Sequence, residues 1–177
     1  MLEYGCSEKT RCRMGLKEGY RLLRAQPPQV LWSKLVWSKG NNPRHDFILW
    51  LALLKKLRSR KWHYDKGIID SDLCGLCSKG VYDINHMFFN CDFSSEVCRL
   101  VMANLKLKYR KRPTFEAWWC WWLKLSKGKT RSRLKRRTVL AIMVYILWNE
   151  RNKRVFLQDS NNPEMLANSI CNMLCFV

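Results

Sequence analysis

The residues of this sequence best suited to chemistry are Cys74, Cys77, His86 and Cys91, arranged as Cys-x2-Cys, eight residues, His, four residues, Cys. A Cys-x2-Cys pair on a tight turn presents two thiolates to one ion, and Gly75 lets such a turn close without a Cβ clash. His86 and Cys91 return two further ligands at the distance a tetrahedral zinc requires, about 2.0–2.3 Å from metal to ligand. Four soft or borderline ligands without a carboxylate favour Zn²⁺. Catalytic zinc keeps one position open for water, whereas all four are filled here, so the expected cofactor is one structural Zn²⁺. Six cysteines remain: Cys6, Cys12, Cys98, Cys120, Cys171 and Cys175. Cys171 and Cys175 lie one helical turn apart and could hold a metal in principle. With no His or carboxylate near them, buried thiols are the expectation.

The elements that must position these ligands can be read from apolar spacing and chain breaks. Leu16, Tyr20 and Leu23 mark a short opening helix over 15–24, which Pro27-Pro28 stops. Leu31, Trp32, Leu35 and Val36 predict a second short helix before the break at Gly40-Asn41-Asn42-Pro43. The segment 46–57, DFILWLALLKKL, is apolar on nearly every side and is expected at the centre of the fold. Residues 67–92 are rich in Gly, Asp and Ser and offer little apolar core of their own, so a metal would supply what packing cannot. An amphipathic helix follows over 94–107, with Val97, Leu100, Val101 and Leu105 on one face. Thr114 suits the N-cap of a helix over 115–125, with Glu116 favourable to its dipole. The run KGKTRSRLKRR then separates this Trp-rich helix from a long apolar one over 139–156, and Asn161-Asn162-Pro163 precedes a last helix over 164–176. Period-two alternation is nearly absent. The expected fold is mainly α, with several short and medium helices around a small zinc-stabilised loop lobe. Its expected divisions are a lead-in over 1–29, a zinc-binding domain over 30–110 with its core at 74–91, and a basic, Trp-rich helical region over 111–177.

Lys and Arg number 33 against 14 Asp and Glu in 177 residues, a formal net charge of +19. With 47% apolar and 12% aromatic residues the chain has ample material for a core, which excludes a disordered basic tail as a description of the whole. The odd count of nine cysteines, and Glu3 and Glu8 where a secretory peptide needs a basic and then an apolar run, point to a reducing, intracellular compartment. The longest apolar stretch, 139–148, is ten residues, well short of the roughly 20 that span a bilayer, so no membrane association is expected. Catalysis is not expected either. A zinc deaminase needs His-x-Glu ahead of Pro-Cys-x-x-Cys, and here the Cys pair comes first. Asp83 with His86 suggests a His-type nuclease only if His86 is not a ligand, and His45 and His63 lack a Ser or Cys partner in an identifiable motif.

With the four ligands placed, the surrounding residues resemble the reverse transcriptase zinc-binding family, found after the polymerase in plant LINE-type non-LTR retrotransposons. VLWSKLVWSKGNNPRHDFILWLALLKKLRSR is similar to the family's Trp-rich lead-in, and LCGLCSKGVYDINHMFFNCDFSSEVC to its zinc core. GLKEGYRLL is similar to the short segment ahead of the domain and ILWNERNKRVF to the helix after it. His45-Asp46 and Cys98 depart from the pattern, Cys98 standing where a Trp is common. The resemblance implies a carboxy-terminal accessory of a polyprotein whose polymerase and endonuclease lie upstream. No Tyr-x-Asp-Asp polymerase signature occurs here, and the acidic residues nowhere pair for two-metal chemistry.

The basic runs are candidates for a phosphate-binding face: Arg58, Arg60 and Lys61; Lys106, Lys108, Arg110, Lys111 and Arg112; and Lys127, Lys129, Arg131, Arg133, Lys135, Arg136 and Arg137. So large an unbalanced charge favours an anionic partner over merely solvated helix ends. Structured RNA is favoured, as the parent element must gather its own transcript, and the polymerase itself is a further expected partner. Trp118, Trp119, Trp121 and Trp122 wrap most of a helix, which suits core packing while leaving at least one for base stacking. The competing reading is a zinc-stabilised module that docks proteins, or a fragment of a degenerate element.

Overall fold

Asn42 and Pro43 show how the chain breaks turn into structure. The Asn42 side chain accepts a hydrogen bond from the Arg44 N–H at 2.9 Å, and Pro43 occupies the first helical position, where its missing N–H costs nothing. In the computed structural model the described residues are 30, 32–38, 40–57, 64–67, 71, 73–80, 83–111 and 114–175. The opening helix expected over 15–24 lies outside them, as do Arg58, Arg60, Lys61 and Arg112. The described helices are α1 (Ser33–Val36), α2 (Pro43–Leu53), α3 (Asp92–Asn104), α4 (Phe115–Leu125), α5 (Arg131–Phe156) and α6 (Pro163–Cys175), with a π-helical turn at His86–Asn90.

The fold is mainly helical, as the sequence indicates, but its centre is α5 rather than α2. Thr138 through Val144 are all buried, so the middle of α5 is covered on every side. It packs against α1, α2, α4 and α6, while α3 packs along α6. By contrast α2 buries Asp46, Leu49 and Ala52 and leaves Phe47 half exposed. Sequence overrated α2 because apolar residues on all sides of a helix need not all be covered.

From Arg131 onward the basic run that precedes the apolar stretch is part of α5, which runs for 26 residues. Three of its arginines turn back onto the end of α4. Arg136 donates to the Leu125 carbonyl at 3.0 Å, Arg137 to those of Ser126 and Gly128 at 2.9 and 2.8 Å, and Arg133 to that of Lys127. Carbonyls at a helix C-terminus lack intrahelical donors, and these guanidinium groups supply them. Gly128, at φ +118°, is held against the Arg133 side chain, where a Cβ would collide.

The N-terminus of α4 is as the sequence indicates: Thr114 Oγ1 accepts from Ala117 N–H at 3.1 Å. Trp122 is fully buried and Trp118 nearly so, while Trp119 and Trp121 are half-buried, so the Trp-rich helix serves mostly as core. Asn41 joins the loop before α2 to α5: its amide donates to Asp46 Oδ1 and its carbonyl accepts from Thr138 Oγ1, both at 2.7 Å. Cys98, in place of a larger residue, is buried against Met143 with its sulfur 3.4 Å from Sδ. The expectation of buried thiols fails at Cys120 and Cys175, which are exposed because they sit on the outer faces of α4 and α6, while Cys171 is half-buried. No helix among the described residues is long and apolar enough to cross a membrane.

Candidate metal centre

Two short backbone devices bring the four ligands together. The first is the loop 74–80. Ser78 N–H donates to the Cys74 carbonyl at 2.8 Å, and Cys74 N–H donates to the Gly80 carbonyl at 3.1 Å, so the chain folds back on itself around Cys77. The left-handed residues are Ser78 at φ +57° and Gly80 at φ +65°, so the backbone demand that sequence assigns to Gly75 falls further along. A Cβ on Gly80 would make only ordinary contact with His86 Cε1 and Nδ1, 3.6 Å away, so it is the backbone conformation that calls for glycine there. Backbone N–H groups of Leu76 and Cys77 hydrogen-bond to the Cys74 sulfur, as suits a thiolate.

The second device is the π turn, which sequence reads only as loop. At about 100° per residue, positions five apart on an α-helix point some 140° away from each other. His86 and Cys91 are five apart and could not share an ion from such a helix. Here the Cys91 N–H donates to the His86 carbonyl at 2.7 Å, and this wider turn returns Cys91 to the side of His86. The Asp83 carboxylate caps the turn by accepting the His86 N–H at 2.5 Å. Cys91 then stands at the N-cap of α3, where the helix dipole and the Ser94 N–H favour a negative sulfur.

The result is a single cluster in which the ligand atoms of Cys74, Cys77, His86 and Cys91 all lie within 4.8 Å of one another. Cys74 Sγ and Cys91 Sγ are 4.0 Å apart, and Cys77 Sγ is 3.2 Å from His86 Nε2. Zinc–ligand lengths at a tetrahedral angle require about 3.8 Å between two sulfurs and about 3.6 Å between sulfur and nitrogen. The spacing therefore fits one Zn²⁺ with three thiolates and one imidazole. Cys74 and Cys91 are buried, and Cys77 and His86 half-buried. The bond from Cys74 to Cys91 raises the Cys74 thiol well above the ordinary range, with burial adding to it, and lowers Cys91. Three thiolates crowded into a buried site need a cation, and a divalent ion without redox chemistry supplies it.

The loop is not a separate lobe. Leu76, Met87 and Phe88 are buried in the same core as α5, and residues far along the chain hold the loop in place. Arg154, near the end of α5, donates to the Leu76 carbonyl at 2.8 Å, to the Asn161 carbonyl at 2.7 Å and to Glu150 Oε1 at 2.7 Å. Its guanidinium also lies 4.3 Å over the Phe93 ring of α3. Glu150 is buried and takes two further bonds from Asn161, each at 2.8 Å. Burial pushes its carboxyl up, and the bonds from Arg154 and Asn161 more than reverse this, leaving it below the usual carboxylate range. Sequence singles out WNERNKRVF without finding this role. The available signal is a helical i, i+4 Glu–Arg pair just past the apolar stretch of α5.

Of the basic candidates, Lys106, Lys108, Arg110 and Lys111 follow α3 and are exposed, Lys106 as the left-handed residue just past its end. Lys127, Lys129, Arg131 and Arg133 are exposed between and within α4 and α5, and Lys135, Arg136 and Arg137 are half-buried. Arg133, Arg136 and Arg137 are engaged by carbonyls.

No curated protein and no solved structure matches the chain. Residues 15–97, which include all four ligands and the two turns that assemble them, match the family model described as zinc-binding in reverse transcriptase.

Proposed function

We propose that this chain is the nucleic-acid-binding accessory of a retrotransposon reverse transcriptase, prefers structured RNA, and performs no chemistry of its own. The observation that carries the reading is the placement of exposed charge in a chain of net +19. Lys106 to Lys111 precede α4 and Lys127 to Arg131 follow it, so a helix of 11 residues separates the two groups. At 1.5 Å per residue this is about 16 Å, the reach of about five phosphates along one strand of a duplex. Zinc has an architectural role: with all four ligands drawn from the protein, it fixes the loop against α3 and α5 and keeps no position for substrate. Upstream polymerase and endonuclease regions would supply the reaction.

The test is the salt dependence of binding by zinc-loaded protein to an RNA hairpin and to a DNA duplex of matched sequence. A steep fall in affinity with salt and tighter binding of the hairpin support the reading. In K127A/K129A/R131A the slope of log K against log salt falls by about 2 to 3, near 0.7–0.9 for each phosphate that no longer meets a cation. No binding at low salt, or an unchanged slope in this variant, contradicts it.

A further inference from the structure

A cleft of about 690 Å³ opens beside the C-terminal half of α4, in the size range of sites that enclose small ligands or several side chains. Leu35 of α1, with Cys120 and Leu123 of α4, forms an apolar floor. Lys124, Lys127, Lys129 and Arg137 form the rim, and no acidic side chain lines it among the described residues. Ser126 stands in its wall, 1% exposed, with a hydroxyl that has no hydrogen-bond partner. Buried hydroxyls are nearly always partnered, so this wall holds a polar group that the fold does not use.

From this combination we infer that the cleft is a docking groove for an acidic amphipathic helix of a protein partner. Such a helix presents apolar side chains at i, i+3/i+4 and i+7 to the floor, and its flanking carboxylates meet the lysine rim. The charge pattern is complementary in both respects: apolar at the bottom and cationic at the edge, with no anion among the described lining residues. An unstacked nucleotide fits less well, because stacking needs a flat aromatic surface and none of the described lining side chains is aromatic. The groove is a function additional to the basic face, although the two share Lys127 and Lys129.

The probe is a 12-residue peptide with Leu at helical spacing and Glu at the other positions. Its controls are a peptide of the same composition with the spacing scrambled, and a single-stranded 12-nucleotide RNA. Zinc-loaded protein is alkylated with iodoacetamide in the presence of each, and modification of Cys120, which is exposed in the groove, is located by peptide mapping. The inference expects the helical peptide to slow Cys120 alkylation at least tenfold and the scrambled peptide to bind at least tenfold more weakly. It expects C120E, which adds a carboxylate at an exposed position, to weaken peptide binding at least tenfold, and S126A to weaken it about threefold. Thermal melting of both variants verifies that the fold is kept. Equal binding of the two peptides would reduce the effect to plain charge and overturn the inference. So would protection of Cys120 by the RNA alone, which would make the cleft a nucleotide pocket, or protection by none of the three. Because Lys127 and Lys129 belong to both sites, RNA binding to the basic face is read separately, by the salt-dependence experiment.

Discussion

Replacing Arg154 by Met tests whether the zinc loop and the C-terminal helices form one cooperative structure. The change removes the bonds to the Leu76 and Asn161 carbonyls and the ion pair with Glu150, while Met retains most of the packing against Phe93. Breaking a buried ion pair from one side costs about 3–5 kcal/mol. The lower end applies here, because the Arg154 side chain is 20% exposed and Glu150, at 1%, keeps its two bonds from Asn161. About 3 kcal/mol corresponds to a fall in melting temperature of about 6–12 °C for a unit of this size. Circular dichroism of zinc-loaded protein at fixed free zinc is the assay. E150Q/R154M is expected to be about as stable as R154M, because without Arg154 the buried carboxylate no longer has its cation, and the pair should show a coupling of about 2 kcal/mol. The pH dependence has a definite sign. Glu150 has a depressed pKa in the folded state, so the stability it contributes is complete above the unfolded value of about 4.3 and is lost as pH falls through the lower folded value. The gap between wild type and R154M therefore narrows in acid. A melting temperature within about 2 °C of wild type at neutral pH, or strictly additive single variants, refutes the clamp.

Three further outcomes follow from the geometry. C77S removes one of four ligands, and because zinc binding contributes about as much free energy as a whole domain's stability, near-UV circular dichroism of the tryptophans should collapse as it does when a chelator strips the wild type. D46N should raise stability by about 1 kcal/mol at neutral pH: burial lifts the Asp46 carboxyl to about 6, so charging it costs stability as pH rises through about 4 to 6, and the amide abolishes that slope in pH-dependent melts. S126A should leave the melting temperature unchanged or raise it by a few degrees, since a buried hydroxyl without a partner costs about 1–3 kcal/mol. A fall of several degrees would show that Ser126 has a partner in the fold.

The local features of this molecule were legible from its sequence and the distant ones were not. Thr114 caps α4 because a cap needs only residues three apart, and Cys74, Cys77, His86 and Cys91 declare themselves by donor type and interval. The π turn escaped because an i to i−5 bond has no residue signature; only the need for His86 and Cys91 to share an ion implies it. Arg154 escaped for a different reason: its bond to Leu76 joins positions 78 residues apart, and periodicity carries no information at that range. The basic run misled in part. Sequence shows seven cations in a row of eleven, whereas the fold commits Arg133, Arg136 and Arg137 to carbonyls at the end of α4. The family match ends at residue 97, yet the loop it describes is held by Arg154, with Glu150 and Asn161 behind it. In this chain the metal-binding segment and the helices after it are one folded structure.

The most direct test of the metal centre is X-ray absorption at the zinc edge on protein loaded with one equivalent of Zn²⁺. The account predicts a four-coordinate ion with three sulfurs at about 2.3 Å and one nitrogen at about 2.0–2.1 Å, with the nitrogen shell lost in H86A. A shell of oxygens, two sulfurs with two nitrogens, or a spectrum unchanged in H86A would contradict it.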